Sequence, residues 1–309
     1  MSERERYIVA GGSGLIGAAL AASLAADGHD VVVLSRAPEE VGHLAAGVRA
    51  VGWDGRSLGS WAREVDGAAA VVNLAGENLA SGRWTAARKR RLRSSRVEPT
   101  RALVEAIGRA RVRPLALLQA SGISYYGACG DEPVDEESPP GRGFLPELGR
   151  EWEAASAPAS ELGVRRVVMR SGAVLAREGG ALAKMLPPFR LGVGGPVGGG
   201  RQGFSWIHRL DEIGAIRFLA ARSELSGACN LTAPAPVSNA ELARALGCAL
   251  GRPAFLPVPG PVLRLVFGEM GSVLLEGQRA VPRRLLAAGF AFRFPTLEGA
   301  LADLVGRRR

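Results

Sequence analysis

Cysteine is scarce in this 309-residue chain. The three cysteines, Cys129, Cys229 and Cys248, are odd in number, lie far apart and form no Cys-x-x-Cys pair. This usage argues against a disulfide framework and against a cysteine-rich zinc site, and it fits a reducing, cytoplasmic compartment. No spacing of His, Asp and Glu suggests a metal site, so we expect no bound metal.

Lysine is also scarce, because only Lys89 and Lys184 are lysines among 39 basic residues. The net charge of +9 is a feature that nucleic-acid-binding proteins share. The basic residues are scattered, however, and their one dense run, 88–93, has no interleaved aromatic side chains to stack on bases. Such extreme use of arginine is more typical of codon bias than of a binding surface, and we expect no nucleic-acid partner.

Long hydrophobic runs are missing as well. Residues 7–26 are largely apolar, but glycines interrupt them and Glu3 and Glu5 cancel the basic charge nearby, which argues against a signal peptide. No run of 18 or more apolar residues occurs elsewhere, so we expect no membrane-spanning segment. The remaining composition is that of an ordinary globular protein.

Strand and helix patterns alternate through the first half of the chain, as in βαβ units. Short apolar runs typical of buried parallel strands occur at 7–10, 31–34, 48–53, 68–74, 116–120 and 164–170. Helical patterns lie between them at 15–27, 83–109 and 147–162. With right-handed crossovers, this order predicts an α/β fold, a Rossmann-type doubly wound parallel sheet.

The regularity falls after about residue 175. Residues 192–203 contain seven glycines and read as a loop, and helical patterns return at 211–221, 239–250 and 282–288. We therefore expect a dinucleotide-binding Rossmann domain over 1–175. We expect a mixed cap or substrate region over 176–309, with a small C-terminal subdomain that packs over the carboxyl edge of the sheet.

The clearest motif is Gly11-x-x-Gly14-x-x-Gly17, between the first predicted strand and the first predicted helix. Glycines permit a tight turn and let the backbone approach a pyrophosphate, while the helix N-terminus, here with Leu15 and Ile16, supplies free N–H groups. A glycine-rich turn by itself can be only a turn. The strand and helix on its two sides favour a dinucleotide site.

The second predicted strand ends in Ser35 and Arg36. An NAD-preferring site would place Asp or Glu here to hold the ribose 2′-hydroxyl, whereas a hydroxyl and a guanidinium suit a 2′-phosphate. The cofactor predicted on this feature is NADP(H), although Arg36 on a surface loop is the alternative. Asp54, after the third strand, is a candidate partner of the adenine amino group or simply the start of a turn.

Further motifs lie along the chain, the first two of them directly after the fourth and fifth predicted strands. They are 73–76 (Asn-Leu-Ala-Gly), 121–127 (Ser-Gly-Ile-Ser-Tyr-Tyr-Gly), 184–190 (Lys-Met-Leu-Pro-Pro-Phe-Arg) and 206–208 (Trp-Ile-His). With the glycine motif, this set resembles the extended short-chain dehydrogenase/reductases. It is similar to their atypical subgroup, usually described as NAD(P)-dependent epimerase/dehydratase-like or as epimerase family proteins. That subgroup ends in a small domain of unknown function, which would match about residues 254–301.

The resemblance implies further contacts with the cofactor. Leu74 and Ala75 would lie beside the adenosine and the pyrophosphate, and the main chain of Val174 would meet the nicotinamide amide. Arg96 stands where ordinary members have an Asn that kinks the helix. An arginine there has two possible roles, a contact with a cofactor phosphate or ribose, or an ordinary solvated helix position.

The family's proton-transfer motif is absent. Ordinary members use a Tyr-x-x-x-Lys pair in which the lysine lowers the pKa of the tyrosine. No such pair occurs here, and Phe144 and Leu148 stand in the expected positions. The candidate substitutes are Ser124, Tyr126 and His208, each of which also has a purely structural alternative.

Three functions are compatible with these residues. The first is an NADP(H)-dependent, epimerase/dehydratase-like oxidoreductase with unusual proton donors and an unidentified small-molecule substrate. The second is a regulatory or scaffold protein that binds NADP(H) without turnover. The third, a nucleotide-sugar epimerase, is disfavoured by the missing Tyr-x-x-x-Lys pair. The expected assembly is a monomer or a homodimer.

Overall fold

The computed structural model describes residues 4–41 and 44–306. In these residues there are thirteen strands: β1 (Arg6–Ala10), β2 (Asp30–Ser35), β3 (Val48–Gly52), β4 (Ala70–Asn73), β5 (Ala116–Gly122), β6 (Pro133–Val134), β7 (Arg165–Ser171), β8 (Ala173–Leu175), β9 (Gly203–Phe204), β10 (Trp206–His208), β11 (Gly227–Leu231), β12 (Val237–Ser238) and β13 (Arg279–Ala280).

The same residues form eleven α-helices: α1 (Leu15–Ala26), α2 (Ala86–Arg109), α3 (Phe144–Ala155), α4 (Pro158–Glu161), α5 (Gly180–Arg190), α6 (Arg209–Ala221), α7 (Asn239–Leu250), α8 (Gly260–Phe267), α9 (Met270–Leu275), α10 (Arg283–Ala287) and α11 (Leu297–Val305). Short 3-10 turns lie at Pro38–Glu40, Ser60–Val65 and Ile123–Tyr126. None of the described helices is both long and apolar enough to cross a membrane.

The central sheet has seven parallel strands in the order β11-β7-β5-β4-β1-β2-β3. The chain runs outward from β1 to β3 and then returns to the other side of β1 with β4. The carboxyl ends of β1 and β4 therefore flank a topological switch point, where open α/β sheets bind their ligands. The predicted Rossmann-type doubly wound sheet is confirmed.

Both faces of the sheet are buried, which explains why its strands are continuously apolar. Residues alternate between two cores along each strand. One face packs on α1 and α6, with Val9, Val33 and Val72 among its buried residues. The other packs on α2, with Ile8 and Val71 among them. A third core joins α5, α7 and α11 and lies on the C-terminal side of the fold.

Two predicted helices differ most from the helices in the structure. The predicted helix 83–109 begins at Ala86, because the Thr85 side chain caps it by accepting a hydrogen bond from the Arg88 N–H. The predicted helix 147–162 is wrong as a single element. It is split into α3 and α4, because Pro158 begins a new helix and lacks the N–H that a continuing helix needs.

One strand of the sheet was not predicted. β11, Gly227–Leu231, lies beside β7 at the edge of the sheet, although the sequence after residue 175 lost its regular alternation. Helix α6 also packs on this sheet. The expected region 176–309 thus contributes a strand and a helix to the sheet, and the division at residue 175 stays a prediction.

A buried ion pair connects α3 to β7. Glu153 accepts two hydrogen bonds from Arg170, from Nε and from Nη2, each 2.9 Å long. Ser121 Oγ of β5 donates to the same carboxylate at 2.7 Å. Both charged side chains are almost completely buried, so each needs the other as its counter-ion.

Glu153→Gln should therefore destabilise the fold by about 3–5 kcal/mol, because it leaves the Arg170 charge buried without a counter-ion. Urea denaturation measures this loss. Glu151→Gln is the matched control on the same helix, because Glu151 pairs with Arg93 at the surface. Such exposed pairs contribute about 0–1 kcal/mol. Equal effects of the two substitutions would contradict the assignment.

Candidate functional site

A groove crosses the carboxyl ends of β1 to β4, at the switch point. Its volume is about 840 Å³, the size of a site for a large cofactor. Seven of the twelve predicted cofactor residues line it: Gly11, Gly14, Ser35, Arg36, Asp54, Leu74 and Ala75. The groove therefore brings together the carboxyl ends of four strands, and with them motifs that lie far apart in the sequence.

Each position of the motif requires glycine for a different physical reason. Gly11 has φ +76°, and a Cβ there would lie 2.8 Å from the Leu74 carbonyl group. A Cβ at Gly17 would lie 2.4 Å from the Gly11 oxygen. Gly14 is the N-cap of α1 and lines the groove, where a Cβ would meet only the Gly11 oxygen, at 3.3 Å. Gly11 and Gly17 thus allow backbone segments to approach, whereas Gly14 leaves space for a ligand.

Leu15 and Ile16 lie just outside the groove lining. A Cβ at Gly179 would be 3.2 Å from Leu15 Cδ1, so Leu15 packs against the start of α5. Ile16 packs against the sheet core, as does Val174 of β8. The side chains of Leu15 and Ile16 thus anchor the first turn of α1 to the rest of the fold.

The end of β2 presents two polar groups to the groove. Ser35 Oγ accepts a hydrogen bond from the Ala37 N–H at 3.3 Å. Arg36 is exposed, and among residues 4–41 and 44–306 no carboxylate forms an ion pair with it. A planar guanidinium in this position is suited to bidentate contact with a phosphate.

Asp54 both starts a turn and lines the groove. Its Oδ1 accepts hydrogen bonds from the N–H groups of Arg56 and Ser57, each 2.8 Å long. These bonds lower the pKa of Asp54 below its ordinary value. The carboxylate is therefore ionised at neutral pH and available as an acceptor beside the groove.

Asn73 organises the loop that forms the opposite wall. This fully buried side chain donates from Nδ2 to Thr100 Oγ1 and to Gln119 Oε1, both at 2.9 Å. Its Oδ1 accepts from the Ala75 N–H at 3.1 Å. The network fixes Leu74 and Ala75 at the groove. Asn73 was not predicted to have this role. The sequence feature that could have indicated it is an amide side chain at the end of an apolar strand.

Arg96 lies behind this wall and does not line the groove. Its Nη1 donates to the Leu92 carbonyl oxygen at 3.1 Å, and Nη2 donates to that of Glu77 at 3.0 Å. Burial lowers the pKa of Arg96 to about 10, and the nearby Arg88 charge acts in the same direction. The guanidinium supports the loop through these bonds.

The candidate proton donor Tyr126 is locked in a buried network. Its hydroxyl donates to Asn230 Oδ1 at 2.7 Å and accepts from Arg170 Nη1 at 3.0 Å. Burial raises the pKa of Tyr126 to about 12. Ser124 differs, since it is partly exposed and its Oγ lies 3.4 Å from the Cβ position of Gly122 at the end of β5.

His208 is held between α6 and the C-terminal helix. Its Nδ1 accepts from the Leu210 N–H at 3.1 Å and caps α6, and Nε2 lies 3.3 Å from an Asp303 carboxylate oxygen. The ring stacks on Phe294 with centroids 3.9 Å apart. Burial lowers the pKa of His208, against the opposing effect of Asp303. His208 is therefore fixed in the structure away from the groove lining.

The positions of the missing pair are filled by apolar contacts. Leu148 is buried in α3. Phe144 packs edge-on against Trp84, and Lys89 Nζ lies 4.9 Å from its ring centroid. In the described part of the chain, no group of three or more His, Cys, Asp or Glu residues is arranged to hold a metal ion.

Two family models match the chain. Residues 7–226 match the NAD dependent epimerase/dehydratase family, and residues 258–304 match a domain of unknown function. The expected C-terminal domain at 254–301 agrees with the second match.

Curated relatives share this organisation. The bovine epimerase family protein SDR39U1 is 44% identical over 97% of this chain and 99% of its own length. An epimerase family protein of Mycobacterium bovis is 44% identical over 95% of both chains.

A solved structure adds a ligand to the comparison. The crystal structure of human epimerase family protein SDR39U1 with NADPH is 40% identical, with a TM-score of 0.87. The match covers 97% of this chain and 99% of that one. These similarities confirm the resemblance inferred from the motifs: the chain belongs to the NAD dependent epimerase/dehydratase family.

Proposed function

We propose that this protein binds NADP(H) in the groove and acts as an epimerase/dehydratase-like oxidoreductase on a small molecule, without a Tyr-x-x-x-Lys pair. The observation that carries the cofactor assignment is Arg36, an arginine at the end of β2 that lines the groove. A guanidinium at the end of this strand suits a ribose 2′-phosphate, and the human relative was solved with NADPH.

In this proposal Gly11, Gly14 and the N-terminus of α1 hold the pyrophosphate, with Leu15, Ile16 and Gly17 supporting the turn. Ser35 and Arg36 bind the 2′-phosphate. Asp54 accepts from the adenine amino group, Leu74 and Ala75 line the adenosine, and Val174 meets the nicotinamide amide. Arg96 supports the wall of the groove from behind, through its hydrogen bonds to the Leu92 and Glu77 carbonyl oxygens. Residues 1–175 are the cofactor unit and 176–309 the substrate region, with β11 completing the sheet.

The second candidate is a protein that binds NADP(H) without turnover. Apolar residues in the two positions where the family keeps tyrosine and lysine favour this candidate. Leu148 is buried and Phe144 packs on Trp84, so neither can transfer a proton. For either function we propose a cytoplasmic monomer or homodimer without a nucleic-acid partner.

NADPH should bind more tightly than NADH, and Arg36→Asp should remove most of that preference, because it places a negative charge at the 2′-phosphate. Isothermal titration calorimetry with both cofactors measures the ratio. Arg201→Asp is the control, an equal change of charge at an exposed loop arginine outside the groove lining. Equal affinities of the unmodified protein for both cofactors would falsify the 2′-phosphate assignment.

Gly14→Val should abolish NADPH binding, because its side chain would occupy the space of the pyrophosphate. Circular dichroism should show a retained fold. Gly199→Val, in an exposed loop with no atom within 4 Å of its Cβ position, should leave binding unchanged. Normal NADPH binding by the Gly14 variant would show that the pyrophosphate lies elsewhere.

Turnover on standard panels of sugar nucleotides and ketones should be weak or undetectable with NADPH at saturation. A positioned proton donor contributes about 10²–10⁴-fold in rate, and the usual one is missing. Spectrophotometry at the NADPH absorbance band measures ketone reduction, and chromatography of the products measures conversion of the sugar nucleotides, because an epimerisation consumes no net NADPH. Rapid turnover of a defined carbonyl compound, unaffected by separate changes of Ser124, Tyr126 and His208, would refute the scaffold alternative and these candidate donors together.

A further inference from the structure

A fully buried glutamic acid lies under the end of β7. Glu212, in the first turns of α6, is 1% exposed. Its Oε1 accepts a hydrogen bond from Ser171 Oγ at 2.6 Å. Among the described residues, its Oε2 has no hydrogen-bond partner. A buried carboxyl oxygen without a partner is costly, so this group calls for an explanation beyond packing.

The serine in this pair reaches the end of the sheet that the nicotinamide would occupy. Ser171 is the last residue of β7, is partly exposed and pairs in register with Gly122 of β5. The Gly122 Cβ position is 3.8 Å from the Ser171 carbonyl oxygen and 3.4 Å from Ser124 Oγ. Val174 follows three residues later. The pair therefore connects the buried acid to the carboxyl ends of β5 and β7, on the side of the sheet opposite to the Ser35 and Asp54 end of the groove.

Charged groups on the elements around Glu212 are engaged elsewhere. Helix α6 packs against α1, β5, β7, β8 and β10. The charged or titratable groups nearby bind other partners: Arg170 binds Glu153, Asp211 accepts from the Arg293 and Phe294 N–H groups, His208 caps α6 beside Asp303, Arg209 pairs with Glu178, and Arg217 pairs with Asp27. Burial raises the pKa of Glu212 to about 8, and the Ser171 hydrogen bond only partly opposes this. The side chain is therefore mostly neutral at pH 7.

We propose that Glu212, acting through the Ser171 hydroxyl, changes its protonation state with the redox state of the bound nicotinamide, so that it is neutral beside NADPH and a carboxylate beside NADP⁺. This inference rests on the proposed function, because it needs NADP(H) in the groove. The nicotinamide ring of NADP⁺ carries a positive charge and that of NADPH does not. In a poorly solvated site a nearby positive charge favours the ionised carboxyl group.

The consequence for a reduction is a balanced transfer. A carbonyl carbon receives the hydride from NADPH, and its oxygen needs one proton to become a hydroxyl group. Glu212 loses one proton as the ring becomes positive. For this transfer the hydrogen of the Ser171 hydroxyl turns from Glu212 Oε1 to the substrate oxygen and is donated there, while the protonated carboxyl group donates its own proton to Ser171 Oγ. Solvent then reprotonates Glu212 after NADP⁺ leaves. Glu212 and Ser171 thereby supply what the missing tyrosine would have supplied.

The test is the pH dependence of NADP⁺ and NADPH binding, measured by calorimetry between pH 7 and 9.5 and without any substrate. The affinity of the unmodified protein for NADP⁺ should rise with pH, by up to about tenfold for each unit by which NADP⁺ lowers the pKa of Glu212. Its affinity for NADPH should stay level or fall, because a buried carboxylate repels the cofactor phosphates. Glu212→Gln should remove the difference, and Glu224→Gln, at an exposed position, should keep it.

A second measurement needs no variant. Titrations in buffers of different ionisation enthalpy should show that NADP⁺ binding near pH 8 releases up to about one proton more than NADPH binding does. A pH-independent ratio of the two affinities, or the same rise with pH in Glu212→Gln, would overturn this inference while leaving NADP(H) binding intact. If neither dinucleotide binds, the proposed function and this inference both fail.

Discussion

The groove depends on one close approach of backbone to backbone. The carbonyl oxygen of Gly11 accepts from the Gly14 N–H at 3.1 Å and lies where a side chain at Gly17 would have to be. On its other side, Gly11 touches the Leu74 carbonyl group at the end of β4. A larger residue at Gly11 or Gly17 would push α1 away from the switch point. The position of the helix N-terminus, and with it any anion site there, follows from this contact.

The sequence predicted this part of the molecule well because its signals are local. A glycine in a left-handed conformation and apolar runs of strand length need no distant partner to be recognised. The Asn73 network and the Glu212–Ser171 pair were not predicted. Each joins residues more than 25 positions apart, as in Asn73 with Thr100 and Ser171 with Glu212. Only the fold brings such groups together.

Arginine usage is a second case in which the sequence does not reveal contacts that only the fold creates. From composition it indicated codon bias, yet the structure places several guanidinium groups inside the fold. Arg165 donates to three carbonyl oxygens at the end of α6 and after it, and Arg96 donates to two others around the groove wall. A planar group with five donors can bind several carbonyl oxygens at once, which a lysine in the same place would do less well.

The edge position of β11 has a consequence for biosynthesis. The strand β11, which completes the sheet, ends at Leu231, whereas its neighbour β7 ends at Ser171. During synthesis β7 therefore leaves the ribosome about sixty residues before the strand that covers its edge, at a translation rate of about 5–20 residues per second. For several seconds the nascent chain exposes unpaired backbone groups of a buried strand, a state open to wrong pairing. The nucleotide-binding sheet is therefore complete only after residues 227–231 have left the ribosome.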